Sequence, residues 1–183
     1  MRIRLYIAVS VDGFIAASDG GVEWLEPFFE ADYGFEDFLS GIDCAVMGRK
    51  TYEQVIAFGD WPYPDHDVWV LSRAPLSELP PRTHAWADAP AGMVRHLRAR
   101  GNRGDCWLIG GGETLREFER LGAVEEYEIF VMPVFLGAGI PLFPAPFPEA
   151  RLELRDVTAW ANGAVRLLYG RIGSGTEEAA DDR

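Results

Sequence analysis

Short apolar runs alternate with amphipathic stretches along most of this chain, the pattern of an α/β layered sheet. Residues 3–9 read as a first strand, and a long glycine-containing loop follows through Trp24. From about 27 to 39, Phe28, Phe35, Phe38 and Leu39 recur at helical spacing. Residues 44–47 read as a buried strand running into Gly48-Arg49-Lys50-Thr51, and 51–57 continue as a helix. A third strand is expected at 68–71, a short one near 84–86, and a helix at 93–100. A strand at 106–109, a helix at 113–121 opened by three glycines, and a strand at 127–132 follow. The C-terminal part changes character: residues 152–160 and 164–172 flank Asn162-Gly163, the pair favoured in two-residue type I′ turns, where both central positions need φ > 0. The expected architecture is therefore a mostly parallel sheet closed by an antiparallel hairpin.

Length and charge narrow the possibilities. The 183 residues suit one domain, spanning 1–172, and the polar acidic stretch 173–183 reads as a disordered tail. A formal charge of −12 leaves no basic stripe for a nucleic acid or an anionic membrane. No apolar run reaches the length of a membrane span, and the start of the chain lacks the cleavage site of a secretory signal, so a cytoplasmic protein is expected. Cys44 and Cys106 each lie in an apolar run and read as buried reduced thiols. His66, His84 and His96 have no further ligand at metal-binding spacing, and no metal site is expected. The nucleophile elbow, the P-loop and the full G-x-G-x-x-G fingerprint are all missing.

Four features remain that could carry chemistry. At Gly48-Arg49-Lys50-Thr51 a glycine, two cations and a hydroxyl meet the positive end of a new helix, as an anion site requires. At Gly110-Gly111-Gly112-Glu113-Thr114 three glycines between strand and helix leave room for a pyrophosphate. Either junction alone could equally be a tight turn with an ordinary cap. Ser72 and Arg73 end a strand at the carboxyl edge, where open α/β sheets bind ligands, and a guanidinium there suits the 2′-phosphate of NADP or merely solvent. Asp32 lies on the apolar stripe of the expected 27–39 helix, where burial would raise its pKa into the range of a usable acid. The rival reading makes it the N-cap of a helix starting at Tyr33.

Taken in order, these pieces resemble the dihydrofolate reductase-like superfamily, and most closely the reductase domain of the bifunctional riboflavin-biosynthesis deaminase-reductase. YIAVSVDGFIA at 6–16 is similar to the family's first strand and loop, and MGRKTYE at 47–53, LSR at 71–73 and IGGGET at 109–114 to its cofactor segments. PVFLGAGIPLF at 133–143 is similar to the late substrate-side loop of the riboflavin branch. The resemblance covers residues 1–172 and implies a three-layer αβα sandwich with NADPH as hydride donor. It implies that Ala8 and Ile15 border the nicotinamide and that Gly48, Arg49, Lys50 and Thr51 hold phosphates. Ser72 and Arg73 would take the 2′-phosphate, and Gly110, Gly111, Gly112, Glu113 and Thr114 the pyrophosphate, with a cis Gly110–Gly111 bond. It also implies Asp32 as the acid, since folate-reducing members keep an acidic residue fifteen positions before the Met of M-G-R.

Two departures shape the expected function. The stretch 63–68 lacks the arginine with which folate reductases clamp the substrate's carboxylate, His66 standing near that place. No zinc-deaminase signature precedes the reductase-like region. The expectation is a stand-alone NADPH-dependent reductase acting on a pyrimidine- or pteridine-type heterocycle, with 5-amino-6-(5-phosphoribosylamino)uracil as the named candidate. The alternatives are a dihydrofolate reductase and a non-catalytic nucleotide-binding homologue. The apolar stretches 129–136 and 140–143, with the dimerising habit of the riboflavin branch, add the expectation of a twofold homodimer.

Overall fold

A computed structural model describes residues 1–77, 79–101 and 103–172; the expected acidic tail lies outside the described residues. Its centre is an eight-stranded sheet, numbered in chain order as β1 (Ile3–Ser10), β3 (Ile42–Gly48), β4 (Asp67–Leu71), β5 (Thr83–Trp86), β6 (Asp105–Gly110), β7 (Glu126–Met132), β9 (Leu152–Ala159) and β10 (Val165–Arg171). Across the sheet the order is β5-β4-β3-β6-β1-β7-β10-β9. Every pair from β5 to β7 is parallel, and β10 is antiparallel to both β7 and β9, which is the expected parallel sheet with its closing hairpin.

Period-two alternation divides the core. On one face, helices α3 (Pro90–Ala99) and α4 (Gly112–Arg120) bring Met93, Leu97, Leu115 and Phe118 against Ile3, Leu5, Val46 and Leu108. On the other, α1 (Phe35–Ser40) and α2 (Arg49–Ala57) bring Phe38 and Tyr52 against Ala45, Met47, Val68 and Trp107. Three layers result.

Three local expectations are corrected. The helix expected at 27–39 is a 3-10 turn, Glu23–Phe28, and the short α1, separated by a loop. Pro27 lies in the first and Gly34, at φ 74°, starts the second, so neither residue permits one continuous helix. The hairpin turn has three residues instead of two: Gly163 N–H donates to the Trp160 carbonyl, Trp160 N–H donates to the Ala164 carbonyl, and only Gly163 takes positive φ. The Gly110–Gly111 bond is not cis; the chain turns there through positive φ at both glycines, 138° and 86°. One element was not foreseen, a small antiparallel sheet of β2 (Phe14–Ala16) with β8 (Ile140–Pro141). Asp12 fastens it, its carboxylate accepting the N–H groups of Leu136 (3.2 Å) and Gly137 (2.7 Å) and the Ser10 hydroxyl (2.6 Å).

Candidate active site

Parallel pairing brings the carboxyl ends of β1, β3, β4 and β6 to one edge of the sheet, with Met47 opposite Gly110 and Gly48 opposite Leu71. The two glycine junctions meet there through their threonines. A methyl group on Gly48 would collide with the Thr114 hydroxyl, and one on Gly111 would stand 3.1 Å from the Thr51 hydroxyl. Gly112 is pressed against the Pro141 and Leu142 carbonyls, so the late loop seats on the start of α4. The helices α2 and α4 begin at Gly48 and Gly111 without a side-chain hydrogen bond to cap them, leaving first-turn N–H groups available. A Cβ on Gly110 would stand 3.1 Å from Ile7, one residue from Ala8.

The side chains around these turns are unequal. Lys50 and Arg73 are exposed and form no ion pair with any described residue. Arg49 is exposed but holds Glu53 at 2.6 Å, and Glu113 is paired with Arg116. Ser72 is buried, and its hydroxyl donates to the Ala74 carbonyl at 2.6 Å. The first loop reaches α2, where the Gln54 amide donates to the Gly20 carbonyl at 2.5 Å. Ile15 is half-buried against the α3–α4 side, whereas Ala8 faces the α1–α2 side.

Beside Ala8 opens an apolar recess lined by Tyr6, Leu25, Phe28, Tyr33, Phe130 and Met132. Trp24 and Trp160 pack against the same cluster. Tyr6 and Ala8 alternate on β1 as Phe130 and Met132 do on the adjacent β7, in matching register (Ala8 opposite Phe130). That period-two match is the signal in the sequence that could have found the floor of the recess. Burial, reinforced by Glu128, pushes the Tyr6 phenol well above its ordinary pKa, and its hydroxyl donates to the Tyr33 carbonyl at 3.1 Å.

Asp32 does not lie on a buried helix face. It is exposed, in the loop after the 3-10 turn, and its carboxylate accepts the Gly34 N–H at 2.8 Å. The helix on whose apolar stripe it was expected does not form, and the residue that caps α1 is Gly34. Its neighbour Tyr33 does line the recess, and the Trp160 indole donates to the Asp32 carbonyl at 2.9 Å, which fixes this stretch to the hairpin. Asp12, held ionised by the Ser10 hydroxyl and two backbone N–H groups, has a pKa below the usual carboxylate range and serves as a latch.

Residues 87–166 match the family model of the RibD C-terminal domain. Two Bacillus subtilis (strain 168) proteins, both described as uncharacterized, are full-length relatives. YwjB is 38% identical over 170 residues, covering 91% of this chain and 96% of its own, and YyaP is 32% identical over 178 residues, covering 92% and 94%. The chain belongs to the RibD C-terminal domain family. The family's fold is the one observed: a putative riboflavin biosynthesis protein from Shewanella sp. PV-4 superposes with a TM-score of 0.84 at 28% identity, over 94% of this chain and all of that one. The Thermotoga maritima deaminase/5-amino-6-(5-phosphoribosylamino)uracil reductase shares the fold at 15% identity and a TM-score of 0.68, over 93% of this chain and 56% of that one. The RibD C-terminal domain is a reductase domain, with the dihydrofolate reductase-like architecture that the ordered motifs implied. No described helix is long and apolar enough to cross a membrane.

Proposed function

We propose that this protein is an NADPH-dependent reductase that delivers hydride to a C=N or C=O bond of a pyrimidine- or pteridine-type heterocycle. The observation that supports this best is the joining of two uncapped helix starts by Thr51 and Thr114 at the carboxyl edge, beside Ala8 and the recess. Such paired N–H groups suit a pyrophosphate, and the unpaired charges of Lys50 and Arg73 suit a terminal phosphate. Bound there, NADPH supplies the hydride. The chain's own residues do the rest. Gly48, Thr51, Gly110, Gly111, Gly112 and Thr114 let backbone approach the phosphates, with Arg49, Glu113 and Ser72 shaping the turns around them. Ala8 borders the ring on the recess side and Ile15 holds the loop above it. Asp32 supplies the proton from the rim of the recess, directly or through a water.

The protein functions as a twofold homodimer. Ile129, Phe130, Met132 and Leu142 of the late apolar stretches are used up in the core, but Phe135 is 74% exposed and Phe143 47%. On the edge strand β9, Leu154 and Val157 are exposed as well, an apolar surface that association would cover. The deciding experiment for the activity is loss of NADPH absorbance with purified protein and a panel of pterins and ribosylaminopyrimidines. Turnover with at least one ring substrate is expected, and its absence across the panel, with no binding of NADPH, rejects the assignment.

A further inference from the structure

The basic and acidic residues around the site are segregated. Between Arg4 and Arg49 the chain carries nine carboxylates (Asp12, Asp19, Glu23, Glu26, Glu30, Asp32, Glu36, Asp37 and Asp43) and no lysine, arginine or histidine. This same segment supplies the outer wall of the recess, from Leu25 through Phe28 and Phe29 to Tyr33, and along it Glu23, Glu26, Glu30 and Asp32 are exposed. Among the described residues the floor is equally without a free cation. Arg4 lies on the same sheet face but is held by Glu126 (2.6 Å) and Glu128 (2.7 Å), and Arg166 by Asp156 (2.6 Å) and Glu128 (3.5 Å). The unpaired cations near the site, Lys50 and Arg73, stand at the glycine turns instead.

A phosphate or carboxylate carried into the recess would meet aromatic walls that offer it no compensating charge. It would do so under a field of like sign, and both effects raise its cost. A flat ring without a negative charge gains apolar and ring-stacking contact with Tyr6, Phe28, Tyr33 and Phe130. We infer that the recess selects flat, non-anionic ring compounds and rejects their phosphorylated and carboxylated counterparts. This assignment of substrate class rests on the reductase reading above for its chemistry, but the selection itself is a property of the recess. It separates this chain from the phosphoribosylated compound in the name of the Thermotoga maritima protein. It also agrees with the lack of an arginine in 63–68 that could clamp a carboxylate.

The test uses matched pairs on the full chain without cofactor: pterin against pterin-6-carboxylate, and 5-amino-6-ribosylaminouracil against its 5′-phosphate, each titrated by calorimetry. The neutral member of each pair is expected to bind at least ~10-fold more tightly at low salt, and the gap to narrow as salt screens the rim. The double variant Glu26→Lys/Glu30→Lys, both positions exposed, should narrow the same gap without added salt. Equal or tighter binding of the anionic members at low salt overturns the inference, as does failure of all four compounds to bind. A separate titration with NADPH keeps the two readings apart. A chain that does not bind NADPH loses the reductase assignment, while the matched pairs still decide what the recess accepts.

Discussion

Arg73 stands exposed where β4 ends, with no ion pair to any described residue, so its full charge is available to an anion. If that anion is the 2′-phosphate, Arg73→Ala should weaken NADPH by ~10-fold or more and leave NADH unchanged, as a charge-assisted contact predicts. Fluorescence titration with both cofactors reads the difference directly. Gly111 carries a backbone constraint at φ 86°, and any side chain there also approaches the Thr51 hydroxyl. Gly111→Ala should cost about 1–3 kcal/mol of stability in urea unfolding, from the positive-φ backbone alone. If this turn holds the pyrophosphate, as proposed, the substitution should also weaken NADPH. Asp32→Asn keeps the acceptor for the Gly34 N–H while removing the acid. Melting temperature and NADPH affinity should therefore persist and turnover should fall by ~10²-fold, the usual contribution of a positioned general acid. Unchanged turnover would transfer the proton to solvent.

The strand starts are joined by charges. Arg2, preceding β1, reaches Asp105 at the start of β6 (2.6 Å), and Arg4 reaches Glu126 at the start of β7. Burial works against the Asp105 carboxylate, yet hydrogen bonds from the Arg2 guanidinium and backbone N–H prevail, and its pKa is lowered. A carboxylate held low in the folded state stabilises the fold above its ordinary pKa. That contribution is lost as pH falls through the lowered value. Asp105→Asn should therefore destabilise the protein at neutral pH by about 1–2 kcal/mol, a figure discounted because Arg2 is half exposed. The difference from the parent should vanish in acid, which urea melts across a pH series would show. A second tie serves β10, whose Arg171 is paired with Glu119 of α4 and donates to the Tyr127 hydroxyl at 2.8 Å. The closing hairpin is thereby fastened to both the sheet and the helix layer.

For the whole molecule, the proposed dimer has the plainest measurement. One chain has a mass of 20.4 kDa, and light scattering at micromolar concentration should return about twice that. Replacing Leu154 and Val157 on the edge strand by lysine should give a folded protein of single-chain mass, because charges on an exposed edge oppose association. The formal charge of −12 acts at the same scale: it favours solubility and makes the approach of any anionic ligand depend on salt. At the carboxyl edge of the parallel strands that field is locally offset by Lys50 and Arg73.

What the sequence determined by itself was local in origin. Apolar periodicity placed the strands of the main sheet and most of the helices, because burial of one face repeats every two or about 3.6 residues whatever the partner. Glycines at strand ends marked both strand-to-helix turns, since close backbone approach leaves few other choices, and the family followed from the order of the motifs along the chain. Contacts between distant segments were beyond such reasoning. Nothing near Gly48 announces that Thr114 will stand over it, and nothing near residues 14–16 announces their pairing with residues 140–141. The 27–39 stretch shows why periodicity can mislead: Phe28 and Phe38 do both become buried or half-buried, but against different parts of the sheet, with Asp32 exposed in the loop between them. The aromatic recess likewise needs β1 beside β7 and the hairpin folded back onto Tyr33. Tertiary packing alone decided those placements, because each depends on which surfaces were left to cover once the parallel sheet had formed.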